Sequence, residues 1–167
     1  MATTIRGSDN FDTAFAKSVA IIADVKGDTT AGGTFTQDAW QTRDINTELD
    51  DPSDIITITS NQFTLQAGTY LVEWLAPAYA TGQHTTRLQN ITESTTAADG
   101  TSEYTNVSNA VGNSSSGAGI ITLSSPSAFE IQHYCLVTKT GNGFGAATNV
   151  TGKNNVYTLV KIHKIGA

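Results

Sequence analysis

Basic residues, cysteine and proline are all scarce in this sequence of 167 residues, and each scarcity removes a class of protein. Nine lysines and arginines stand against fifteen aspartates and glutamates, a formal charge of −6 at neutral pH, and the nine form no cluster. The counterion release that drives binding to DNA or RNA therefore has no source, and nucleic acid is excluded as a partner. The single cysteine, Cys135, cannot close an intrachain disulfide, so stability has to come from packing or association, and Cys135 itself reads as a small buried hydrophobe. No apolar run approaches the ~20 residues of a membrane span. The N-terminus, MATTIRGSDNFDTAFA, lacks the basic and apolar regions of a secretory signal, so no membrane insertion and synthesis in the cytoplasm are expected. Four Asn-x-Ser/Thr triplets, at Asn90, Asn106, Asn113 and Asn149, arise by chance in a chain this rich in those residues and carry no glycosylation reading without an export signal.

Threonine is what the chain has in abundance, with 27 residues, while charged residues make up 14% and helix-forming Ala/Leu/Glu/Lys tracts are missing. β-Branched residues in that proportion point to an all-β protein, and the length to one core. Residues 1–16 show neither alternation nor a helical period and read as an N-terminal arm, leaving residues 17–167 as the domain. From there short alternating runs alternate with Gly/Asn/Asp/Ser clusters. Strands are predicted over 18–25, 35–45 with Trp40 as anchor, 55–59, 62–65, 69–76, 84–90 and 120–123. Ala67-Gly68 reads as a tight connection between neighbouring antiparallel strands. The clearest strands come last, Phe129–Thr138 and Val156–Ile165. Residues 91–119 are polar and poor in large apolar side chains, and are expected to be surface, either a functional loop or a short edge strand around Tyr104. Eight to ten antiparallel strands with no helix fit a jelly-roll β-sandwich, because double layering protects strand edges.

The last two strands are apolar on both faces. Behind Phe129, Ile131, His133 and Cys135 lie Tyr134 and Leu136; behind Val156, Thr158, Val160 and Ile162 lie Tyr157 and Leu159. A contiguous apolar second face needs a cover, and a partner subunit is the economical one. Tyr134, Leu136, Tyr157 and Leu159 are therefore the predicted interface.

The order of these signals resembles the trimeric C1q/tumour-necrosis-factor-like jelly rolls, and among them the proteins of tailed-bacteriophage virions. The residues that carry the resemblance are Trp40-x-x-Arg43-x-x-Asn46, the run from Asn61 and Phe63 through Gly68 to Tyr70, Arg87-Leu88-Gln-Asn90, and Gly143-Phe144-Gly145 followed by Val156-Tyr157. Ser125-Pro126-Ser127 and Ile162-His-Lys-Ile165 depart from the family's Gly-Asp turn and aromatic ending. The segment Ile5-Arg6-Gly7-Ser8-Asp9-Asn10-Phe11 is similar to the opening of many phage structural proteins. The resemblance implies a homotrimer on the virion surface, made in the host cytoplasm. Two roles follow. One is a capsid-decorating (cement) protein whose arm, through Ile5, Arg6 and Phe11, clamps the major capsid protein. The other is a tail-fibre or head-fibre tip, held by a tail or fibre protein and binding a host-cell receptor. The sequence has no heptads, collagen-like or β-helical repeats of a fibre shaft, which favours decoration.

Catalysis finds no support: no Gly-x-Ser-x-Gly elbow occurs, and Cys135 lies mid-strand beside His133, where both are expected to pack. No cofactor and no metal are expected. The three histidines, His84, His133 and His163, lack zinc-site spacing, although one on a threefold axis would be present three times, with His133 and His163 as candidates. Glu48, Asp50, Asp51 and Asp54 read as a solvated turn in preference to a calcium loop. Trp40 and Trp74 are expected in the core. Loops at 29–34, 90–119 and 142–155 are the expected places for recognition.

Overall fold

In the computed structural model of the chain, which describes residues 18–109 and 111–166, alternation in the sequence becomes eleven strands and no helix among the described residues. They are β1 (Val19–Lys26), β2 (Gln41–Thr42), β3 (Thr47–Asp50), β4 (Ile56–Thr59), β5 (Gln62–Leu65), β6 (Gly68–Tyr79), β7 (Gly82–Asn90), β8 (Thr95–Thr105), β9 (Gly112–Leu123), β10 (Ser127–Cys135) and β11 (Asn155–Gly166). Five form one sheet in the order β3-β1-β11-β6-β9, and five the other in the order β8-β7-β10-β5-β4, with β2 on β10. All strand pairs are antiparallel, and β8 meets β9 at Gly100 and Gly117, which joins the sheets along one side. The predicted arm and its residues Ile5, Arg6 and Phe11 lie outside the described residues.

The core lies between the sheets. β6 sends Tyr70, Val72, Trp74, Ala76 and Ala78 inward, and β11 sends Val160 and Ile162. Facing them are Phe63, Leu65, Leu88, Phe129 and Ile131, with Phe63 and Phe129 stacked 5.9 Å apart. A second, smaller cluster of Phe35, Ala78, Cys135 and Phe144 closes one end. The β4–β5 hairpin turns through Ser60 and Asn61, both at positive φ, the conformation that lets a two-residue loop follow the strand twist.

Four expectations change. Ala67-Gly68 does not join paired strands: β5 belongs to the second sheet and β6 to the first, so the chain crosses the sandwich there. Gly68 (φ +147°) is fitted to that crossing, since a Cβ would press on the Lys164 side chain. The predicted strand 35–45 is broken. Phe35 makes an isolated bridge to Lys139, Asp38 takes positive φ, and only Gln41 and Thr42 pair with β10. Trp40 consequently points outward, 37% exposed, with the Arg87 guanidinium 4.2 Å over its ring. Trp74 is in the core, as expected.

The fourth change is the largest. Residues 91–119, read as surface with either a functional loop or a short edge strand around Tyr104, contain two long strands, β8, which includes Tyr104, and most of β9. Their lack of large apolar residues has a packing cause. Trp74 pairs with Gly117 across β6 and β9, and a Cβ on Gly117 would fall inside the indole ring. The ring donates from Nε1 to Thr86 Oγ1 (2.8 Å), which in turn bonds Ser115 Oγ (2.8 Å), and Ser115 Oγ donates to the Thr101 carbonyl (2.7 Å). Small residues in β8 and β9 are what makes room for a large one in β6. Gly117→Ala is expected to lower stability by ~2 kcal/mol, because the indole cannot give way and still keep its bond to Thr86. At roughly 2–4 °C per kcal/mol the midpoint of thermal unfolding falls by about 4–8 °C, and an unchanged midpoint would refute this account of the strand.

Candidate association face and internal histidine relay

The outward side of the first sheet is apolar across its central strands. The register places Leu159 of β11 beside Leu75 of β6, and Leu71 of β6 beside Ile120 of β9. Leu75 (44%), Ile120 (68%) and Ile165 (55%) are exposed, and Val19, Ile21, Leu71 and Leu159 are half-buried around them. A depression of about 490 Å³ lined by Leu75, Ala118 and Leu159 lies within this face. One charged row, Lys161 beside Glu73, crosses it, with His163 Nε2 3.9 Å from the Glu73 carboxylate.

The four residues predicted for the interface do not come together. Leu159 lies on this face. Tyr134 projects from the opposite face of the sandwich, the outside of the second sheet, and Leu136 follows directly after β10 there. Both strands are apolar on two sides, but they belong to different sheets, which alternation alone does not reveal. Tyr157 is buried within its own chain: loops 29–34 and 142–155 fold over it, its hydroxyl donates to the Thr30 carbonyl (2.8 Å), and Gly145 packs against its ring. Asn155 ties the same loops, donating to the carbonyls of Gly27 (2.8 Å) and Asp28 (3.0 Å). Two of the three expected recognition loops are thus structural cover at one end of the barrel.

Between the sheets runs a chain of polar groups that nothing in the sequence spacing marks. His84 of β7 and His133 of β10 are buried, with His84 Nδ1 2.9 Å from His133 Nε2 and His84 Nε2 2.7 Å from Asn113 Oδ1. Asn113 donates from Nδ2 to Glu103 Oε2 (3.1 Å) and to the Tyr104 carbonyl (3.1 Å), so its oxygen faces His84. His84 must then donate from Nε2 and accept at Nδ1, and His133 must donate from Nε2. His133 Nδ1 is left as a bare lone pair, buried without a partner. Burial pushes both histidines below their ordinary range, most strongly His133, with the Arg43 charge acting on both in the same direction. His133 is therefore no axial histidine: it packs 4.7 Å from Phe35 inside one subunit, and of the two candidates only His163 faces outward.

Arg43, fully buried, stands at the centre of this end. It donates to Thr158 Oγ1 (2.9 Å), the Pro77 carbonyl (3.1 Å) and the Phe144 carbonyl (3.0 Å), and lies 4.3 Å over the Phe144 ring. Burial pulls its pKa down to about 10, offset in part by Asp24 and Asp44. Burial also pushes the Cys135 thiol up to about 11, so it stays protonated at neutral pH. In the acidic turn, both oxygens of Asp51 are taken by the backbone N–H groups of Ile55 (3.0 Å) and Ile56 (3.1 Å). No group of three or more metal-ligating side chains occurs among the described residues.

No protein-family model matches the chain, and no curated protein matches it significantly in sequence. Solved structures do match. The globular domain of zebrafish complement 1qA protein is 18% identical, with 89% of this chain and 97% of that one covered at a TM-score of 0.56. Murine APRIL at pH 5.0 is 9% identical, with 88% and 98% covered and a TM-score of 0.56. The PRD1 vertex protein P5 is 12% identical, with 89% and 98% covered and a TM-score of 0.51. At these identities the likeness concerns the fold alone, and the fold is the C1q/TNF-like jelly roll that the motifs around Phe63 and Gly68 led one to expect.

Proposed function

We propose that this chain is a subunit of a homotrimeric structural protein on the surface of a bacteriophage particle, a capsid-decorating protein that acts by binding and carries no catalytic site. The observation behind the reading is the outer face of the first sheet, where Leu75 and Leu159 form one apolar row and Leu71 and Ile120 another, on either side of the Lys161–Glu73 row across three central strands. Isolated exposed leucines are ordinary, but two apolar rows flanking a single charged row in the middle of a sheet mark an interface. A second copy is the partner that every solution of this protein contains, and a stable trimer interface of this kind buries on the order of 2,000 Å². The vertex location printed in the name of one structural neighbour, PRD1 vertex protein P5, adds support for a place on a particle. The arm of residues 1–16, with Ile5, Arg6 and Phe11, supplies the contact to the major capsid protein, and three arms on one trimer multiply a weak attachment.

The test is sedimentation. The protein is expected to run at three times the mass of its chain, and Ile120→Glu, at an exposed position, to convert it to a folded monomer. A wild-type monomer defeats the trimer. Deletion of residues 2–14 is expected to leave the trimer and abolish particle binding, and retained particle binding defeats the arm. A second reading, a receptor-binding tip, is favoured by one feature, the aromatic groove on the opposite face.

A further inference from the structure

That groove is open, about 390 Å³ in volume, and lies on the outside of the second sheet where β7, β8 and β10 run side by side. Tyr104, 57% exposed, forms one wall. Tyr134 forms the other, its ring 5.6 Å from Trp40 and tilted 58° to it, so that aromatic surface continues past the groove onto the half-exposed indole. Between the walls project Gln83, Thr85 and Ser102.

We infer that this groove binds a neutral saccharide. Its charge decides against other ligands. No lysine or arginine lines it, so an anionic ligand has no counter-charge within the groove. A basic peptide fares little better. The Glu103 carboxylate is turned to the inner side of the sheet, where it accepts from Asn113, and Asp38, outside the lining, accepts from Tyr134 Oη (3.4 Å) and Gln37 Nε2 (2.8 Å). The Gln83 amide beside the Thr85 and Ser102 hydroxyls matches the vicinal hydroxyls of a pyranose, which both donate and accept. The C–H face of the same ring gains dispersion contact on an aromatic side chain, which offers area at little entropic cost. The groove is carried by strands, so its geometry is set before the ligand arrives. It faces away from the association face, so it stays open in a trimer and is present three times, which raises the avidity for a polymeric glycan. The inference does not depend on the trimer.

The experiment titrates the full chain with neutral tetrasaccharides of glucose, galactose, mannose and N-acetylglucosamine and with uronate- and sialic-acid-containing counterparts. Saturation-transfer NMR and tryptophan fluorescence report binding, and sedimentation of the same samples reports the oligomer separately. At least one neutral sugar is expected to bind, with Tyr104→Ala and Tyr134→Ala each weakening it about tenfold and Tyr104→Phe restoring most of the loss. Absence of binding across the neutral panel at about 10 mM overturns the inference, as does binding confined to the acidic sugars or unchanged in both alanine variants. Displacement of the bound sugar by tetralysine at equal concentration overturns it as well.

Discussion

Replacing Arg43 with leucine is expected to destabilise the protein by about 3–5 kcal/mol, the range for breaking a buried charged network by removing one partner. Arg43 is the one large polar side chain that reaches β6, β11 and the 139–146 segment at once, through Pro77, Thr158 and Phe144. Leucine fills part of the volume but takes the Arg43 donor from the part-buried carbonyls of Pro77 and Phe144, each costing about 1–3 kcal/mol, while the Thr158 hydroxyl can turn elsewhere. The stacking on Phe144 is lost with them, and Phe144 anchors the small end cluster by its contact with Phe35 (4.4 Å between rings). Lysine keeps the charge but lacks the planar fork, so Arg43→Lys is expected to recover less than half of the loss. At roughly 2–4 °C per kcal/mol the unfolding midpoint drops by about 6–20 °C for Arg43→Leu. Arg87→Leu is the control, because Arg87 works on the surface against Trp40 and Gln132, and a change below about 1 kcal/mol is expected there. Urea melts of the three variants check this. Equal effects of Arg43→Leu and Arg87→Leu would show that burial of the guanidinium is not what matters.

The motif containing Arg43 shows how far sequence carries. Trp40-x-x-Arg43-x-x-Asn46 is legible as a signal, yet its three residues do different work: Trp40 lies outside the second sheet, Arg43 inside, and Asn46 accepts the Val25 N–H at 2.9 Å and donates to the Asp24 carboxylate at 3.2 Å. Alternation made β1, β6, β10 and β11 readable, because period two is imposed wherever one face is buried. Of β8 and β9 only an edge strand around Tyr104, as one of two alternatives, and 120–123 were readable, because the residues that face Trp74 and the neighbouring strand there are Gly100, Ser115 and Gly117, and smallness looks like a turn when its large counterpart is forty residues away. The same limit governs the candidate site. Leu159 and Leu136 each announce a second apolar side, but only strand pairing says that they face opposite ways, and only the loop contacts of Thr30 and Asn155 say that Tyr157 is covered already. The groove joins Tyr104, in the stretch read as loop or short edge strand, to Tyr134, thirty residues on in a strand that alternation shows, and only strand pairing brings the two to one face.

Acidification from pH 7 to pH 5 is expected to remove up to ~2 kcal/mol of stability through His133, with His84 adding in the same direction. In the unfolded chain both imidazoles take up a proton near pH 6.5. In the folded chain burial holds both below that value, so between the two the unfolded state binds more protons and is favoured as pH falls. Stability is therefore full above about pH 6.5 and is lost below it at about 1.4 kcal/mol per pH unit for each histidine that stays neutral. The relay explains why protonation is resisted. A proton on His133 Nδ1 would meet no acceptor and would face Arg43, while a proton on His84 Nδ1 would break its bond to His133 and leave two donors opposed at 2.9 Å. Among the groups facing the pair, Glu103 acts against this on His84, and Arg43 reinforces it on both. Asp24, raised by burial, takes its proton first in the folded state and so moderates the loss at the acid end of the window. Urea melts at half-unit steps measure the slope. His133→Phe, stacked on Phe35, is expected to reduce it by about one proton equivalent, and a stability that is level from pH 7 to pH 5 would mean that the two histidines are charged in the folded protein.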